Sequence, residues 1–193
     1  MTSNPKWEAD MLDKNKCTLY SGGLRGAECA FGEIAEKFGI KEVTLSFEGM
    51  SPEREAGLQI LSTEELKRGD ISMELVSKMM HRTYYETDKI RKVLQVIFHM
   101  VNNGHQVFAV GSIQQDNTVK GGTGWAVELA KVFNRPVSVY DQQAGQWFSW
   151  QNNSWQKDTP KIEYDTFVGS GTRNLTDAGR AAIENLFKAS FSA

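Results

Sequence analysis

A predicted strand, a glycine-rich turn and a predicted helix follow one another three times in this chain, and this recurrence restricts the fold more than any other feature. The three turns are residues 22–26, 121–124 and 169–173. After the first turn, apolar side chains recur at helical spacing from Ala27 to Phe38. Gly39 ends this helix, and residues 42–47 form the next predicted strand. Because a strand–helix–strand unit places its strands parallel, the chain is expected to fold around a mostly parallel sheet.

Further segments continue this α/β pattern along the chain. Strands are predicted at 106–111, 137–140 and 166–168, a hairpin at 146–157, and helices near 90–101, near 125–133 and after Thr176. Residues 49–83 interrupt the pattern with polar turns and with a capping box from Ser62 to Glu65. We expect residues 1–193 to form one Rossmann-like domain, a three-layer α/β sandwich with a mostly parallel sheet and a helical insertion at 49–83.

Charge and apolar content exclude several classes of partner. The net charge is −2, and no run of like charge supplies the basic surface that nucleic-acid binding requires. No apolar stretch approaches the roughly 20 residues of a membrane span. The chain starts with the polar sequence MTSNPKWEADMLDKNK, which lacks the apolar segment of a signal peptide. We therefore expect a cytoplasmic protein that binds neither nucleic acid nor membrane.

Cysteine and histidine are few and scattered. The chain has two cysteines, Cys17 and Cys29, which are too few for a disulfide framework. The three histidines, His81, His99 and His105, share no spacing typical of metal ligands. A reduced protein without a metal site is therefore expected.

The three glycine-rich turns are expected to meet at one edge of the sheet. Each follows the carboxyl end of a strand, and open parallel sheets bind ligands at that edge. Glycine lets the backbone approach a ligand closely, and the helix N-terminus that follows offers unpaired N–H groups and a partial positive charge. Arg25 and Arg173 can each hold a phosphate through a bidentate fork. The residues expected to contact the ligand are Ser21, Gly22, Gly23, Arg25, Gly26, Gly111, Gly121, Gly122, Thr123, Gly124, Glu128, Asp141, Gly171, Thr172 and Arg173.

The common nucleotide-binding fingerprints are absent from the first turn. A GxGxxG motif starting at Gly22 would need glycines at positions 24 and 27, where the chain has Leu24 and Ala27. The P-loop pattern that ends in Gly-Lys-Ser/Thr is also missing. An ordinary NAD-dependent dehydrogenase or P-loop ATPase is therefore not expected.

Two carboxylates are candidates for polar contacts with the ligand. Glu128 lies one turn into the helix that follows the second glycine-rich turn, and Asp141 lies at the carboxyl end of a predicted strand. A carboxylate in either place could bind sugar hydroxyls, and Glu128 is the candidate for a general acid or base. The alternative for Glu128 is a solvated position on the helix surface.

Three segments resemble one known superfamily. They are TLYSGGLRGAECAFGEIAEKFGI, VKGGTGWAVELAKVFNRPVSVYDQ and FVGSGTRNLTDAGRAAI. They are similar to the SLOG superfamily of Rossmann-like nucleotide-binding proteins, above all to its circularly permuted YpsA-like branch, whose members are described as molybdenum-cofactor carriers. The resemblance covers residues 17–47 and 84–190, and it implies a nucleotide-derived ligand or molybdopterin.

The same superfamily contains LOG-type phosphoribohydrolases, which release the base from a nucleoside monophosphate. Their motif has the form Gly-Gly-x-Gly-Thr-x-x-Glu. Gly121, Gly122 and Gly124 match it, but Thr123 precedes the last glycine and Glu128 lies at a different offset. The resemblance therefore implies the class of ligand more directly than it implies a reaction.

Taken with the residues, the resemblance leads us to expect that the chain binds a nucleotide or a nucleotide-derived, phosphate-bearing small molecule at these loops. Three alternatives remain open at this point: a nucleoside-monophosphate N-glycosidic hydrolase that uses Glu128, a molybdenum-cofactor carrier, and a non-catalytic protein-interaction module. A homo-oligomer that pairs through the exposed face of the helix within residues 84–103 is a further expectation.

Overall fold

The computed structural model describes residues 12–85 and 87–191. The eight strands of this part of the chain are β1 (Thr18–Ser21), β2 (Lys41–Phe47), β3 (Gln59–Leu61), β4 (Gln106–Gly111), β5 (Val137–Asp141), β6 (Gln146–Gln151), β7 (Ser154–Lys157) and β8 (Thr166–Gly171). Its six α-helices are α1 (Ala27–Lys37), α2 (Thr63–Lys67), α3 (Asp70–Met80), α4 (Asp88–Asn103), α5 (Thr123–Val132) and α6 (Asp177–Phe191). A short 3-10 helix, Lys14–Lys16, precedes β1.

All eight strands form one sheet in the order β3-β2-β1-β8-β4-β5-β6-β7. In this order, neighbouring strands from β3 to β5 pair in parallel. The pairs β5–β6 and β6–β7 are antiparallel. The expected α/β fold with a mostly parallel sheet is therefore confirmed. The hairpin predicted at 146–157 is the β6–β7 pair at one edge of this sheet.

Helices pack on both faces of the sheet. Along β4, Val107 and Ala109 belong to one apolar core, and Phe108 and Val110 belong to the other, as expected for side chains that alternate between faces. Helices α1 and α6 pack together on one side, and α4 and α5 pack on the other with α3 against them. Burial of both faces explains why β4 is apolar without interruption from Val107 to Val110.

The segment 49–83, expected to be helical, contains the edge strand β3 as well as two helices. Strand β3 pairs with the carboxyl end of β2, and the capping box predicted from Ser62 to Glu65 starts α2. Before β3 the chain passes over the first glycine-rich turn, where the N–H groups of Glu53 and Arg54 both donate to the carbonyl oxygen of Gly23. This segment therefore fixes the first turn.

The third glycine-rich turn is shorter than predicted, because β8 continues to Gly171. Gly169, Ser170 and Gly171 pair with consecutive residues of β4 and belong to the sheet. Gly169 has a packing role: a Cβ at this position would overlap the ring of Phe31 on α1. Glycine here lets the helix approach the strand closely, and sequence pattern alone does not separate this use from a turn.

Within the described ranges, none of the helices has the length and apolar character needed to cross a bilayer. The same residues contain no group of three or more histidine, cysteine, aspartate or glutamate side chains placed to hold a metal ion. On the surface, the exposed apolar side chains Ile71, Leu75 and Met79 recur every four residues along α3. Helix α3 therefore presents a longer apolar stripe than α4, through which oligomerisation was expected from the sequence.

Candidate functional site

A cavity of about 460 Å³ lies at the carboxyl edge of the sheet, where the loops after β1, β4 and β8 meet. Its volume falls in the range of about 300–1,000 Å³ that is typical of small-molecule sites. We call it the loop cavity. Of the residues predicted from the sequence, those that line it are Gly111, Gly121, Gly122, Thr123, Gly171, Thr172 and Arg173.

The N-terminus of α5 provides hydrogen-bond donors at this cavity. Among the described residues, no backbone carbonyl accepts a hydrogen bond from the N–H of Gly121, Gly122 or Thr123. All three residues line the cavity, and a Cβ at Gly121 or Gly122 would meet no atom within 4 Å. Consecutive N–H groups at a helix start, with the positive end of the helix dipole behind them, are typical of phosphate and carboxylate sites.

Two exposed cationic side chains, Lys120 and Arg173, also line the loop cavity. Neither forms an ion pair with another side chain in the described part of the chain. Both can therefore neutralise an anion bound at the start of α5. Arg25 differs from Arg173, because it is exposed and does not line the cavity. Arg173 was among the residues predicted from the sequence to bind the ligand, and Lys120 was not.

A buried carboxyl group, that of Glu28, forms part of the cavity wall. Glu28 lies in the first turn of α1 and is only 6% exposed. Its Oε2 accepts a hydrogen bond of 3.0 Å from the N–H of Leu24, and its Oε1 lies 3.4 Å from the donating hydroxyl of Ser170. Burial raises the pKa of Glu28 to about 7, although these hydrogen bonds and the charge of Arg173 act to lower it. The carboxyl therefore titrates near neutral pH.

Sequence analysis did not select Glu28. One signal was present, because Glu28 follows directly after Ala27, where the apolar stripe of α1 starts, and lies close to the glycine-rich turn. Its burial, however, depends on the contact between the first turn and β8, which local periodicity does not show.

The first glycine-rich turn is bonded to its surroundings and contributes little to the cavity wall. The hydroxyl of Ser21 accepts from the N–H of Gly23, and the N–H of Ala27 donates to the carbonyl oxygen of Thr172. Of residues 21–26, only Leu24 lines the cavity. Four residues of this turn were predicted to contact the ligand but do not line the cavity, namely Ser21, Gly22, Gly23 and Gly26. The polar groups of the turn bond to neighbouring parts of the protein. The α1 N-terminus is capped by loop atoms, and the α5 N-terminus is not.

Asp141 is buried next to the site and organises two loops. Its Oδ2 accepts from the N–H of Ile113, and its Oδ1 accepts from the N–H of Gln143. Its neighbour Gln142 lines the cavity and accepts a hydrogen bond from the N–H of Thr176 at the start of α6. The structure thus places Gln142, and not Asp141, at the cavity wall.

Glu128 does not line the loop cavity. Five residues along a helix rotate a side chain by roughly 140° from Thr123, because each residue adds about 100°. Glu128 is buried on that other side of α5, where its Oε1 lies 2.7 Å from the Nζ of Lys131. The same ammonium lies 3.8 Å from the ring centroid of Trp150. Glu128, Lys131 and Trp150 line a separate cavity of about 390 Å³. The candidate catalytic role predicted for Glu128 therefore has no support from the geometry of the loop cavity. Gly124, the remaining predicted residue, is also absent from the cavity wall.

The second glycine-rich turn is held by Arg82, which sequence analysis also missed. Its Nη1 donates to the carbonyl oxygen of Gly121 and its Nη2 donates to that of Val119, each at 2.9 Å. Arg82 follows α3 closely in the chain, so the segment 49–83 supports this turn as well as the first one. Its guanidinium positions the backbone at the start of α5.

Comparison with known proteins gives no family assignment. No protein-family model, no curated protein and no solved structure matches the chain. The ligand proposed for the loop cavity is therefore inferred from the geometry of the cavity and from the sequence.

Proposed function

We propose that this chain binds a nucleotide or nucleotide-derived small molecule whose phosphate lies at the N-terminus of α5. One observation carries the proposal: Gly121, Gly122 and Thr123, whose N–H groups donate to no backbone carbonyl of the described residues, line a cavity of suitable size together with Arg173 and Lys120. Three donors and two cations together satisfy a phosphate dianion without any further group.

The remaining walls of the loop cavity suit a sugar and a base. Ser112 and Asn174 bring polar side chains to the wall, and Val93 and Ile97 of α4 provide an apolar surface. The amide of Gln142, by contrast, is held by Asn174 and Thr176. Ligand sites commonly combine such an apolar surface with a few fixed polar groups. The proposed ligand class agrees with the resemblance of the sequence to SLOG proteins. From the same resemblance we also propose that the domain is a Rossmann-like three-layer sandwich.

Replacing Arg173 by alanine is expected to weaken binding of a nucleoside monophosphate about tenfold. The estimate follows from the loss of a charge-assisted hydrogen bond, worth about 1.5–3 kcal/mol, taken at its low end because Arg173 is exposed. Isothermal titration with purine and pyrimidine mono- and diphosphates and with pterins would measure it. Arg25→Ala is the matched control, since Arg25 is exposed outside the cavity and its loss should leave the affinity unchanged.

Two results would contradict this placement of the phosphate. One is binding that Arg25→Ala weakens while Arg173→Ala does not. The other is the absence of binding for the whole panel, which would favour a protein-interaction module instead.

A second candidate function is hydrolysis of an N-glycosidic bond, which the buried carboxyl of Glu28 favours. A group that titrates near pH 7 is suited to general acid–base chemistry. In this reaction Glu28 would accept a proton from the water that attacks the anomeric carbon, while the carbon–nitrogen bond breaks with its electron pair on the base. The departing base takes up a proton from solvent, and Glu28 then returns its own proton to solvent. The reaction needs no co-reactant other than water.

Glu28→Gln is expected to abolish any release of free base from a nucleoside monophosphate, because glutamine cannot accept the proton. Activity of the native chain should rise with pH through about 7, as Glu28 loses its proton. Chromatography of the released base would follow both effects. Glu128→Gln is the control and should retain activity, since Glu128 pairs with Lys131 outside the cavity. Base release that survives Glu28→Gln, or is lost in Glu128→Gln, would contradict the role of Glu28.

A further inference from the structure

A second cavity adjoins the loop cavity. It has a volume of about 510 Å³ and shares two lining residues, Lys120 and Gly121, with the loop cavity. The turn before α5 therefore separates two neighbouring spaces. A phosphate held at this turn has open volume on both sides.

Helix α4 runs beside both cavities. Ile90 and Leu94 line the second cavity, and Val93 and Ile97 line the loop cavity. These four residues follow the spacing of one helical face, so the two cavities share one continuous apolar wall.

The second cavity combines an apolar wall with one available amide. Ile90 is 40% exposed there, although large apolar side chains are usually buried. The Oε1 of Gln114 accepts hydrogen bonds from Arg82 and from the hydroxyl of Thr118, while its Nε2 donates to no atom in the described ranges. Arg82 itself is engaged with the turn before α5. Of the described residues that line this cavity, Lys120 is the one cation left for a ligand, and it is shared with the loop cavity. These walls suit a flat, uncharged group with a polar edge, such as a nucleobase.

We propose that the site takes a ligand of two parts joined through phosphate, namely a pyrophosphate-linked dinucleotide. The linking phosphate lies at Lys120 and Gly121, one nucleoside occupies the loop cavity, and the base of the other packs against Ile90 near the amide of Gln114. This inference rests on the proposed function and names the class of its ligand.

The test compares AMP with diadenosine diphosphate, and GMP with its guanosine counterpart, by isothermal titration. The native chain is expected to bind one dinucleotide at least tenfold more tightly than the matching monophosphate. Ile90→Asp should remove that difference and leave the affinity for the monophosphate unchanged. Ile71→Asp is the matched control, because Ile71 is 87% exposed on α3 and its replacement should change neither affinity.

The outcomes separate this inference from the proposed function. Equal affinities for the monophosphate and the dinucleotide would overturn the inference alone, as would a preference for the dinucleotide that Ile90→Asp leaves intact. Failure of all four nucleotides to bind would overturn the proposed function, and the inference with it. Circular dichroism of both variants checks that each is folded.

Discussion

Replacing Gly26 by alanine is expected to destabilise the chain by about 3 kcal/mol and to abolish ligand binding. Gly26 has φ 93° and ψ −123°, which is backbone that other residues rarely adopt and that costs about 1–2 kcal/mol. In addition, a Cβ at this position would overlap the carbonyl oxygen of Thr172 and lie 2.7 Å from the Cα of Arg173. Because both contacts are backbone atoms, relief requires the loops after β1 and β8 to separate. Urea denaturation and ligand titration measure the two effects.

Gly39→Ala is the matched control for Gly26→Ala. Gly39 also has a positive φ, 70°, but a Cβ there would meet no atom within 4 Å. Its replacement should cost only the backbone strain, about 1 kcal/mol, and leave ligand binding intact. Equal losses of stability in the two variants would show that the two loops do not press together at Gly26.

Arg54→Met is expected to lower the free energy of unfolding by about 3–5 kcal/mol at pH 7, the range for breaking a buried ion pair. The Nε of Arg54 lies 2.7 Å from the Oε2 of Glu42, whose side chain is only 4% exposed. Methionine fills similar space but leaves the carboxylate buried without a partner. The second partner of Arg54, Glu36, is largely exposed and should contribute little.

The loss caused by Arg54→Met should depend on pH and should be reversible by a second change. Burial already raises the pKa of Glu42, with Arg54 acting against it, so removing Arg54 raises the pKa further. A raised pKa in the folded state means that stability falls as pH rises, so the variant should recover towards low pH. The double variant Arg54→Met, Glu42→Gln should regain most of the lost stability. Urea titrations at several pH values test this, and a loss independent of pH would contradict it.

The pattern of apolar residues predicted most of the sheet and the edge of the sheet at which the glycine-rich loops lie. Strand β4 and helix α1 are recognisable because their periodicities are unambiguous, and parallel strands bring the loops at their carboxyl ends together. This reasoning correctly placed Gly121, Thr123 and Arg173 at one cavity. It depends on strand direction, which the strand–helix–strand pattern constrains.

The orientation of individual side chains was not predictable in the same way. Glu128 and Glu28 both lie near glycine-rich turns, but helix rotation directs Glu128 away and packing against β8 buries Glu28 in the cavity wall. Likewise, Arg25 and Arg173 each belong to a glycine-rich turn, yet only Arg173 lines the cavity. Gly169 serves the approach of Phe31 and not a turn. Each difference arises from contacts between segments far apart in sequence, which the local pattern does not encode.

The most direct test of the phosphate site removes one backbone donor at the start of α5. Gly122 has φ −61° and ψ −32°, which proline can adopt, and a Cβ at this position would meet no atom within 4 Å. Gly122→Pro therefore deletes the N–H, whereas Gly122→Ala keeps it. Isothermal titration with the best-binding nucleotide should show at least a tenfold loss of affinity for Gly122→Pro and little change for Gly122→Ala. Equal affinities of the two variants would contradict a phosphate bound at the N-terminus of α5.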